Sequence, residues 1–203
     1  MLINTIFINK LMLNIREIIE QSLKVKQNIL QDAEFIGKIQ IVADKIIETY
    51  KNSGKLLLCG NGGSAADAQH IAAELSGRFY LNRPPLNAEA LHVNTSYLTA
   101  VANDFSFNEV YSRLVLAFGK RNDVLIAFST SGNSENIINA AIQAQKVGMI
   151  VVGFTGDTGG KLKEHCSFLI NVPSKDTPRI QEAHIMIGHI ICELVENALF
   201  SNK

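Results

Sequence analysis

The feature that most constrains the fold is an alternation of short apolar runs with longer stretches of helical periodicity after Gly54. The runs are rich in Val, Ile, Leu and Phe, which is typical of strands that are buried on both faces. The predicted strands are Lys55–Cys59, Ala88–Val93, Val124–Phe128, Ile150–Phe154 and Phe168–Val172. The predicted helices between and after them are Ser64–Ser76, Thr95–Ala102, Asn108–Phe118, Asn133–Val147, Lys161–His165 and Pro178–Phe200. Alternation of this kind predicts an α/β fold, in which a parallel sheet carries helices on both faces.

A different pattern precedes the first strand. From Leu11 to Lys51 the apolar residues recur at helical spacing, which predicts one or two amphipathic helices. Met1–Leu13 is interpreted as irregular chain that leads into the first helix. We therefore expect a single domain of residues 1–203, with a helical leader at 1–53 and an α/β core at 54–203.

Composition narrows the classes of partner. Lys+Arg and Asp+Glu both number 19, so the formal net charge is zero. A nucleic-acid-binding protein usually carries an excess of positive charge, so we expect no nucleic-acid partner. No stretch approaches the roughly 20 apolar residues of a membrane span, so no membrane association is predicted. The three cysteines lack CxxC spacing, which favours free thiols and a reducing compartment such as the cytoplasm.

The first predicted strand ends in a glycine-rich loop. We call residues 60–64, Gly-Asn-Gly-Gly-Ser, the glycine loop. Its glycines allow a tight turn, and the helix that follows presents free N–H groups and the positive end of its dipole. The spacing is neither that of a dinucleotide-binding fingerprint nor that of a P-loop, so an ordinary turn stays open as an alternative to a phosphate site.

A second loop follows another apolar strand and also opens a helix. We call residues 129–134, Ser-Thr-Ser-Gly-Asn-Ser, the serine loop. A helix cap needs only one such side chain, whereas four hydroxyls can surround a phosphate with hydrogen-bond donors. Both loops are expected at the carboxyl edge of one parallel sheet, where open α/β sheets bind ligands. The sequence therefore predicts a phosphate site at this edge.

Together the two loops resemble those of the sugar isomerase (SIS) domain. The resemblance extends through residues 67–70, 73–78, 82–84, 103–105, 159–160 and 178–184 and covers about residues 40–200. Within the SIS domains it is similar to the phosphoheptose isomerases. It implies a three-layer α/β/α sandwich with a five-stranded, flavodoxin-like parallel sheet that is preceded by N-terminal helices.

The same resemblance implies an activity and an assembly. The reaction is the conversion of D-sedoheptulose 7-phosphate to D-glycero-D-manno-heptose 7-phosphate through an enediolate, the first step of ADP- or GDP-heptose synthesis. The implied enzyme is a cytoplasmic homotetramer with active sites at subunit interfaces and a zinc ion in each subunit.

Site residues follow from the resemblance position by position. The acid/base pair is Glu74, the base between C1 and C2, and His189, the acid at the oxygen. The implied zinc ligands are His70, Glu74, Gln181 and His189. The implied substrate-binding residues are Asn61, Gly62, Gly63, Ser64, Glu74, Asn103, Asp104, Ser129, Thr130, Ser131, Ser134 and Gln181. Glu74 cannot be a free base while zinc holds it, so either it binds zinc only at rest or zinc acts as a Lewis acid on the enediolate.

Helical spacing bears on this set. His70 and Glu74 are four residues apart, so both project from one helix face, where a solvated surface pair is the alternative interpretation. Gln181 and His189 are eight residues apart, which separates them by about 12 Å along one helix. Two side chains so far apart would have to lean towards each other to share an ion. We therefore expect at least one ligand to come from a neighbouring subunit.

Three other functions stay open. A non-catalytic SIS protein that binds the replication initiator shares much of the pattern, but it lacks the glutamate and the histidine that match Glu74 and His189. A sugar-phosphate-sensing transcription regulator needs a helix-turn-helix module, for which the leader is short and carries no basic recognition helix. An isomerase of another sugar phosphate is compatible with both loops, because they do not read the far end of the sugar.

Overall fold

The computed structural model describes the backbone of residues 2–201 and the side chains of residues 14–201. The helices are α1 (Leu2–Gln31), α2 (Ala33–Lys51), α3 (Gly63–Ser76), α4 (Thr95–Asp104), α5 (Val110–Phe118), α6 (Glu135–Val147) and α7 (Thr177–Phe200). The strands are β1 (Leu56–Cys59), β2 (Ala88–Ala90), β3 (Val124–Phe128), β4 (Ile150–Thr155) and β5 (Phe168–Asn171). Two short 3-10 helices cover Phe107–Glu109 and Leu162–His165.

The five strands form one parallel sheet in the order β2-β1-β3-β4-β5. This is the flavodoxin-like order, in which β1 and β3 lie side by side and the direction of strand addition reverses between them. Cys59 at the end of β1 pairs with Ala127 near the end of β3. The glycine and serine loops therefore leave the same edge of the sheet from neighbouring strands, as the sequence predicts.

Alternate residues of each strand face opposite helical layers. Leu56 and Leu58 contribute to a core formed with α1, α2, α3 and α7, whereas Leu57 and Cys59 contribute to a core formed with α4, α5 and α6. Strands β1 and β3 are fully buried because helices cover both faces of the sheet, whereas Glu89 of the edge strand β2 is exposed. The predicted three-layer α/β/α sandwich is confirmed.

Several predicted boundaries differ from the observed ones for local reasons. The second strand ends at Ala90 rather than Val93, because Val93 N donates to Ala90 O at 3.3 Å and turns the chain away. Helix α6 begins at Glu135 rather than Asn133, because the serine loop takes up the residues before it. The stretch predicted as a helix from Asn108 is divided between a 3-10 turn and α5, and Lys161–His165 forms a 3-10 helix instead of an α-helix.

The N-terminal part forms two helices. Asp32 separates them, and its side chain accepts a hydrogen bond from Phe35 N at 2.9 Å, which caps the start of α2. The expectation of irregular chain over Met1–Leu13 is wrong from Leu2 onward, because α1 begins there. The side chains of this segment lie outside the described residues.

Helix α7 joins the leader to the core. By length and apolar composition it is the one helix in the described part of the chain that could cross a membrane. Here it packs against α2 and α3 and buries Ala183, Ile187 and Ile191. It also buries the charged side chain of Glu196, which pairs with Arg83. The apolar inner face of α7 is therefore accounted for by the core, whereas Ile190 is exposed.

Candidate active site

The glycine loop turns directly from β1 into α3. Ser64 N donates to Asn61 O at 3.0 Å, so the loop closes on itself. Gly62 and Gly63 are exposed, whereas Ser64 is buried. A Cβ added at Gly63 would lie within 2.6 Å of the Gln181 side chain, so the amide end of Gln181 would have to move if Gly63 were replaced. Backbone groups of Gly62 and Gly63 are the accessible part of this loop.

The serine loop uses its hydroxyls for more than helix capping. Ser134 is the N-cap residue of α6, but its side chain makes no capping hydrogen bond. Its Oγ accepts instead from Ser129 Oγ at 3.1 Å, across the loop. The Ser131 hydroxyl accepts from Asn133 N at 3.1 Å. An ordinary cap therefore does not explain why these side chains are present.

A cavity of about 340 Å³ opens beside the serine loop. Thr130 and Ser131 line one side of it, and Lys175 from the segment before α7 lies on the other. Hydroxyl donors and a lysine can stabilise a phosphate dianion, whereas the carboxylate of Asp157, which also lines the cavity 3.8 Å from Lys175 Nζ, opposes an anion. Phosphate binding at this cavity stays a prediction.

Close packing against Gly159 and Gly160 supports the serine loop. Gly132 has φ of 67°, and a Cβ there would lie within 2.1 Å of Gly159 O. Leu162 N donates to Gly132 O at 2.9 Å and fixes the same contact. Gly160 is equally close, because its own Cβ would meet Ser131 O at 2.5 Å. Gly159 and Gly160, which contribute to the family resemblance, therefore support the loop.

Three predicted zinc ligands converge in one chain. His70 Nε2 lies 3.1 Å from His189 Nε2 and 3.2 Å from Glu74 Oε1. All three candidate ligand atoms lie within 4.8 Å of one another. His70 and Glu74 come from one face of α3, and His189 comes from α7, which packs beside it. The interpretation as a solvated surface pair is therefore incomplete, because a third group joins the two.

The geometry of this cluster suits a metal ion. Two ligands about 2.0–2.2 Å from one tetrahedral zinc ion lie about 3.3–3.6 Å from each other. The distances that His70 Nε2 makes to His189 and Glu74, 3.1 and 3.2 Å, are close to that edge length. Two imidazole nitrogens that face each other can share only one proton, so a cation is the natural neutraliser of their lone pairs. The donor set therefore fits zinc.

Gln181 lies elsewhere. Its side chain rests against Gly63 at the start of α3. His70 is seven residues further along α3, which corresponds to about 10 Å at the helical rise. Within one chain Gln181 therefore belongs to the glycine loop, while His70, Glu74 and His189 form the cluster. The expectation that one subunit does not supply all four ligands stays a prediction.

Asn103 and Asp104 end α4 on the exposed surface. Asn103 Nδ2 donates to Asp104 Oδ1 at 2.9 Å. No hydrogen bond in the described part of the chain joins either side chain to the two loops or to the cluster. Their predicted contact with substrate stays a prediction.

A buried ion pair supports the end of α3, and sequence reasoning missed it. Arg83 Nε donates to Glu196 Oε2 at 2.7 Å, and both side chains are 2% exposed. Arg83 also donates to Glu74 O and Leu75 O at 2.9 Å. Glu196 accepts further bonds from the backbone of residues 79–81. The pair thus fixes the turn of α3 that carries Glu74.

Asp67 is a second group that the sequence did not single out. It lies three residues before His70, and its Oδ2 is buried without a hydrogen-bond partner among the described residues. Burial raises the pKa of this carboxyl to about 6, although the nearby His70 acts to lower it. A carboxyl that keeps its proton to unusually high pH therefore lies beside the cluster.

His184 lies under the serine loop on the inner face of α7. It is fully buried between Phe128 and Phe154, and its Nε2 lies 3.1 Å from Thr155 O. Burial lowers the pKa of His184 to about 4, against an opposing effect of the bond to Thr155. Neutral His184 can donate to Thr155 O, so the uncharged ring is the form that fits this site.

A pH dependence of stability follows from His184. Its folded pKa of about 4 is below the usual 6.5, so the unfolded chain binds the proton more readily. The contribution is complete above pH 6.5 and is lost as pH falls towards 4, about 3 kcal/mol in all. Urea unfolding at several pH values should show this slope in the wild type and lose it in His184→Phe. If the free energy of unfolding of His184→Phe keeps the pH dependence of the wild type, the assignment is wrong. The control His165→Asn should keep that pH dependence.

Comparison with known proteins places this geometry in a family. A domain described as the SIS domain matches residues 19–156. A phosphoheptose isomerase of Clostridium acetobutylicum is 54% identical over 185 residues, which cover 91% of this chain and 94% of the relative. The chain belongs to the phosphoheptose isomerase family.

Two further members support this assignment. The phosphoheptose isomerase of Aneurinibacillus thermoaerophilus is 54% identical over 189 residues, covering 93% of this chain and 96% of its own. The solved structure of the phosphoheptose isomerase from Neisseria gonorrhoeae matches with a TM-score of 0.86 at 39% identity, over 92% of this chain and 99% of that one. The resemblance inferred from the loops is confirmed, and with it the assignment of the chain as an isomerase of phosphoheptose isomerase type.

Proposed function

We propose that this chain converts D-sedoheptulose 7-phosphate to D-glycero-D-manno-heptose 7-phosphate, the first step of heptose synthesis. The observation that carries the proposal is the cluster of three side chains. His70 and Glu74 come from α3, the helix that begins at the glycine loop, and His189 joins them from α7. An aldose–ketose isomerase needs a base at carbon and an acid at oxygen, and this cluster supplies one of each. A non-catalytic SIS protein has no need of the pair.

The phosphate end of the substrate would lie at the two loops. Thr130 and Ser131 line the cavity there, and the starts of α3 and α6 would supply further amide donors. The cluster lies about 10 Å further along α3, as judged from the helical rise between Gly63 and His70. A substrate that uses both parts must carry its carbonyl and its phosphate at opposite ends of a chain, as a heptose 7-phosphate does.

Proton transfer would proceed between the two ends of the carbonyl group. Glu74 takes a proton from C1 of the ketose, which leaves an enediolate, and returns it to C2 to form the aldose. His189 donates a proton to the C2 oxygen as the enediolate forms and accepts one from the C1 hydroxyl. Each group ends the cycle in its starting state, so no external proton is consumed.

We further propose zinc as the resident metal, held by His70, Glu74 and His189, with Gln181 of the partner subunit as the fourth ligand. When bound, zinc supplies Lewis acidity at a substrate oxygen. Glu74 and His189 would then serve as ligands at rest and as the base and the acid once substrate has entered, because an atom bound to zinc cannot exchange a proton. His70 has no proton-transfer role in this scheme, and its role is to help hold the metal.

Metal binding gives a prediction that does not depend on turnover. The wild type should bind about one zinc ion per chain, and His70→Ala should weaken the affinity at least about 100-fold, because the ion loses an imidazole ligand. Competition with a chromophoric chelator measures this directly. His165→Ala, a histidine outside the cluster, should bind zinc as the wild type does, and equal affinities for all three proteins would refute the site.

We propose that the active protein is a homotetramer with its sites at subunit interfaces. Helices α1 and α2 expose several large apolar side chains, namely Ile15, Ile18, Ile19, Leu23, Leu30, Ile36 and Ile41. Of these, Leu30 and Ile36 border an apolar groove of about 410 Å³ that α7 completes with Met186 and Ile190. Apolar surface of this extent favours association with further copies of the chain. A fully active monomer in a dilution assay would rule this out.

The remaining proposals concern the cellular compartment and the domain organisation. We propose that the chain works in the cytoplasm as one domain, with the helical leader as an assembly element. The three cysteines are free thiols, and Cys59 and Cys192 are buried, which suits a reducing compartment.

The experiment for the proposed function is a comparison of substrates of different length. With zinc present, kcat/KM for sedoheptulose 7-phosphate should exceed that for five- and six-carbon ketose phosphates, because the shorter chains cannot reach both the loops and the cluster. Higher kcat/KM for a shorter sugar would favour an isomerase of another sugar phosphate. No turnover of any of them would favour a non-catalytic SIS protein.

A further inference from the structure

The two loops are joined by a pair of side-chain amides. Asn61 lies in the glycine loop, and Asn136 is the second residue of α6, directly after the serine loop. Asn61 Nδ2 donates to Asn136 Oδ1, and Asn136 Nδ2 donates to Asn61 Oδ1, each at 2.9 Å. Because each amide both donates and accepts, the pair fixes the orientation as well as the distance of the two groups. We call this contact the amide clasp.

Neither helix capping nor local packing explains why residue 136 is an asparagine. The N-cap position of α6 belongs to Ser134, so no cap requires an amide two residues later. Asn136 is 2% exposed, and a buried amide destabilises the fold unless it is hydrogen-bonded. An apolar residue would pack at such a position with no such requirement. The partner that satisfies Asn136 is 75 residues away and belongs to the other loop.

A second contact holds the same loop from the same layer of helices. Tyr111 of α5 is buried, and its hydroxyl donates to Gly60 O at 2.5 Å. The glycine loop is therefore fixed to α5 at Gly60 and to α6 at Asn61. Since α3 starts from this loop, these contacts also set where α3 begins relative to the serine loop.

We propose that Asn136 is a positioning residue that holds the glycine loop, and with it α3 and Glu74, in register with the serine loop through the amide clasp. This inference rests on the proposed function. The serine loop binds the phosphate, and α3 carries the base, so the clasp sets the distance between the bound phosphate and the carbon that loses its proton. Asn61 is then oriented by the clasp, and its second Nδ2 hydrogen stays free for the contact with substrate that the resemblance implies.

The positioning role has a specific kinetic signature. In Asn136→Ala the serine loop is intact, so the affinity for inorganic phosphate should stay within about threefold of the wild type, since no phosphate donor is lost. Turnover should fall at least about tenfold, because small displacements of a catalytic group have large effects on rate. A purely structural role would lower the melting temperature but leave kcat of the folded protein unchanged.

A double-mutant cycle makes the test decisive. Asn61→Ala breaks both hydrogen bonds of the clasp, as does Asn136→Ala, so each should lower kcat by a similar factor and the double variant by no more. Asn139→Ala is the matched control, because its amide lies on the same helix and donates to Asn108 O, away from both loops. It should keep kcat within about twofold of the wild type, as expected of a substitution outside the clasp.

Two results would overturn the proposal: unchanged kcat in Asn61→Ala, or effects that multiply in the double variant. If Asn136→Ala does not fold, Asn136→Asp takes its place, because it keeps the size of the side chain and loses the hydrogen bond to Asn61 Oδ1. The wild type is assayed first. If it turns over no sugar phosphate, the proposed function is wrong, whatever the variants do. The clasp would then be tested by free energies of unfolding alone. Additive effects of Asn61→Ala and Asn136→Ala on stability would show that the two side chains do not interact.

Discussion

Glu74→Gln should lower kcat for sedoheptulose 7-phosphate by about 1000-fold or more, since general base catalysis contributes two to four orders of magnitude. Glutamine has the size and shape of glutamate, but its amide does not accept a proton from carbon. In the proposed site the loops hold the phosphate at the other end of α3, so substrate affinity should change much less than kcat. Steady-state kinetics and calorimetric titration with substrate separate the two quantities.

The comparison needs a variant with the same chemical change elsewhere. Glu48→Gln alters an exposed glutamate of α2 and should behave as the wild type. A kcat near that of the wild type in Glu74→Gln would show that another group removes the C1 proton. Loss of activity together with loss of the fold would be seen by circular dichroism and would shift the role of Glu74 to stability.

The second large effect concerns stability. Glu196→Gln should lower the free energy of unfolding by about 3–5 kcal/mol, the usual result of removing one partner from a buried ion pair. Both side chains are 2% exposed, and Glu196 also accepts bonds from the backbone of residues 79–81. The substitution would leave the Arg83 guanidinium buried without a counter-charge. Because Arg83 donates to Glu74 O, the catalytic turn of α3 should loosen as well.

Urea unfolding followed by circular dichroism measures this change. Glu193→Gln is the control, since it lies one turn earlier on α7 but is exposed. It should change the free energy of unfolding by less than about 0.5 kcal/mol, as is usual for surface substitutions. Equal stabilities of the two variants would mean that the buried pair contributes nothing beyond its packing.

The sheet was predictable because its signal is local. Strand β3 is found at the predicted residues, and the other strands differ only at their ends, because apolar runs between loop signals are visible in the sequence itself. Met1–Leu13 was misjudged, because its central run at 3–9, Ile-Asn-Thr-Ile-Phe-Ile-Asn, has weak helical preference on its own. The segment is helical because it continues into the rest of α1, and the helical preference of its own residues does not show this.

The site was predictable only in part. The spacing of His70 and Glu74 placed both on one helix face, and the resemblance added His189. No sequence pattern indicates the amide clasp or the pair between Arg83 and Glu196, whose members are 75 and 113 residues apart. Partners so distant are determined by how α6 and α7 pack, and no local pattern records that packing. Helical rise did show that Gln181 and His189 of one chain lie far apart.

Proton NMR of sedoheptulose 7-phosphate with the purified, zinc-loaded protein tests the central claim most directly. The account predicts that the anomeric signals of an aldose heptose 7-phosphate grow in with the wild type and do not appear with Glu74→Gln. An unchanged spectrum with the wild type, or the same rate with both proteins, would contradict it.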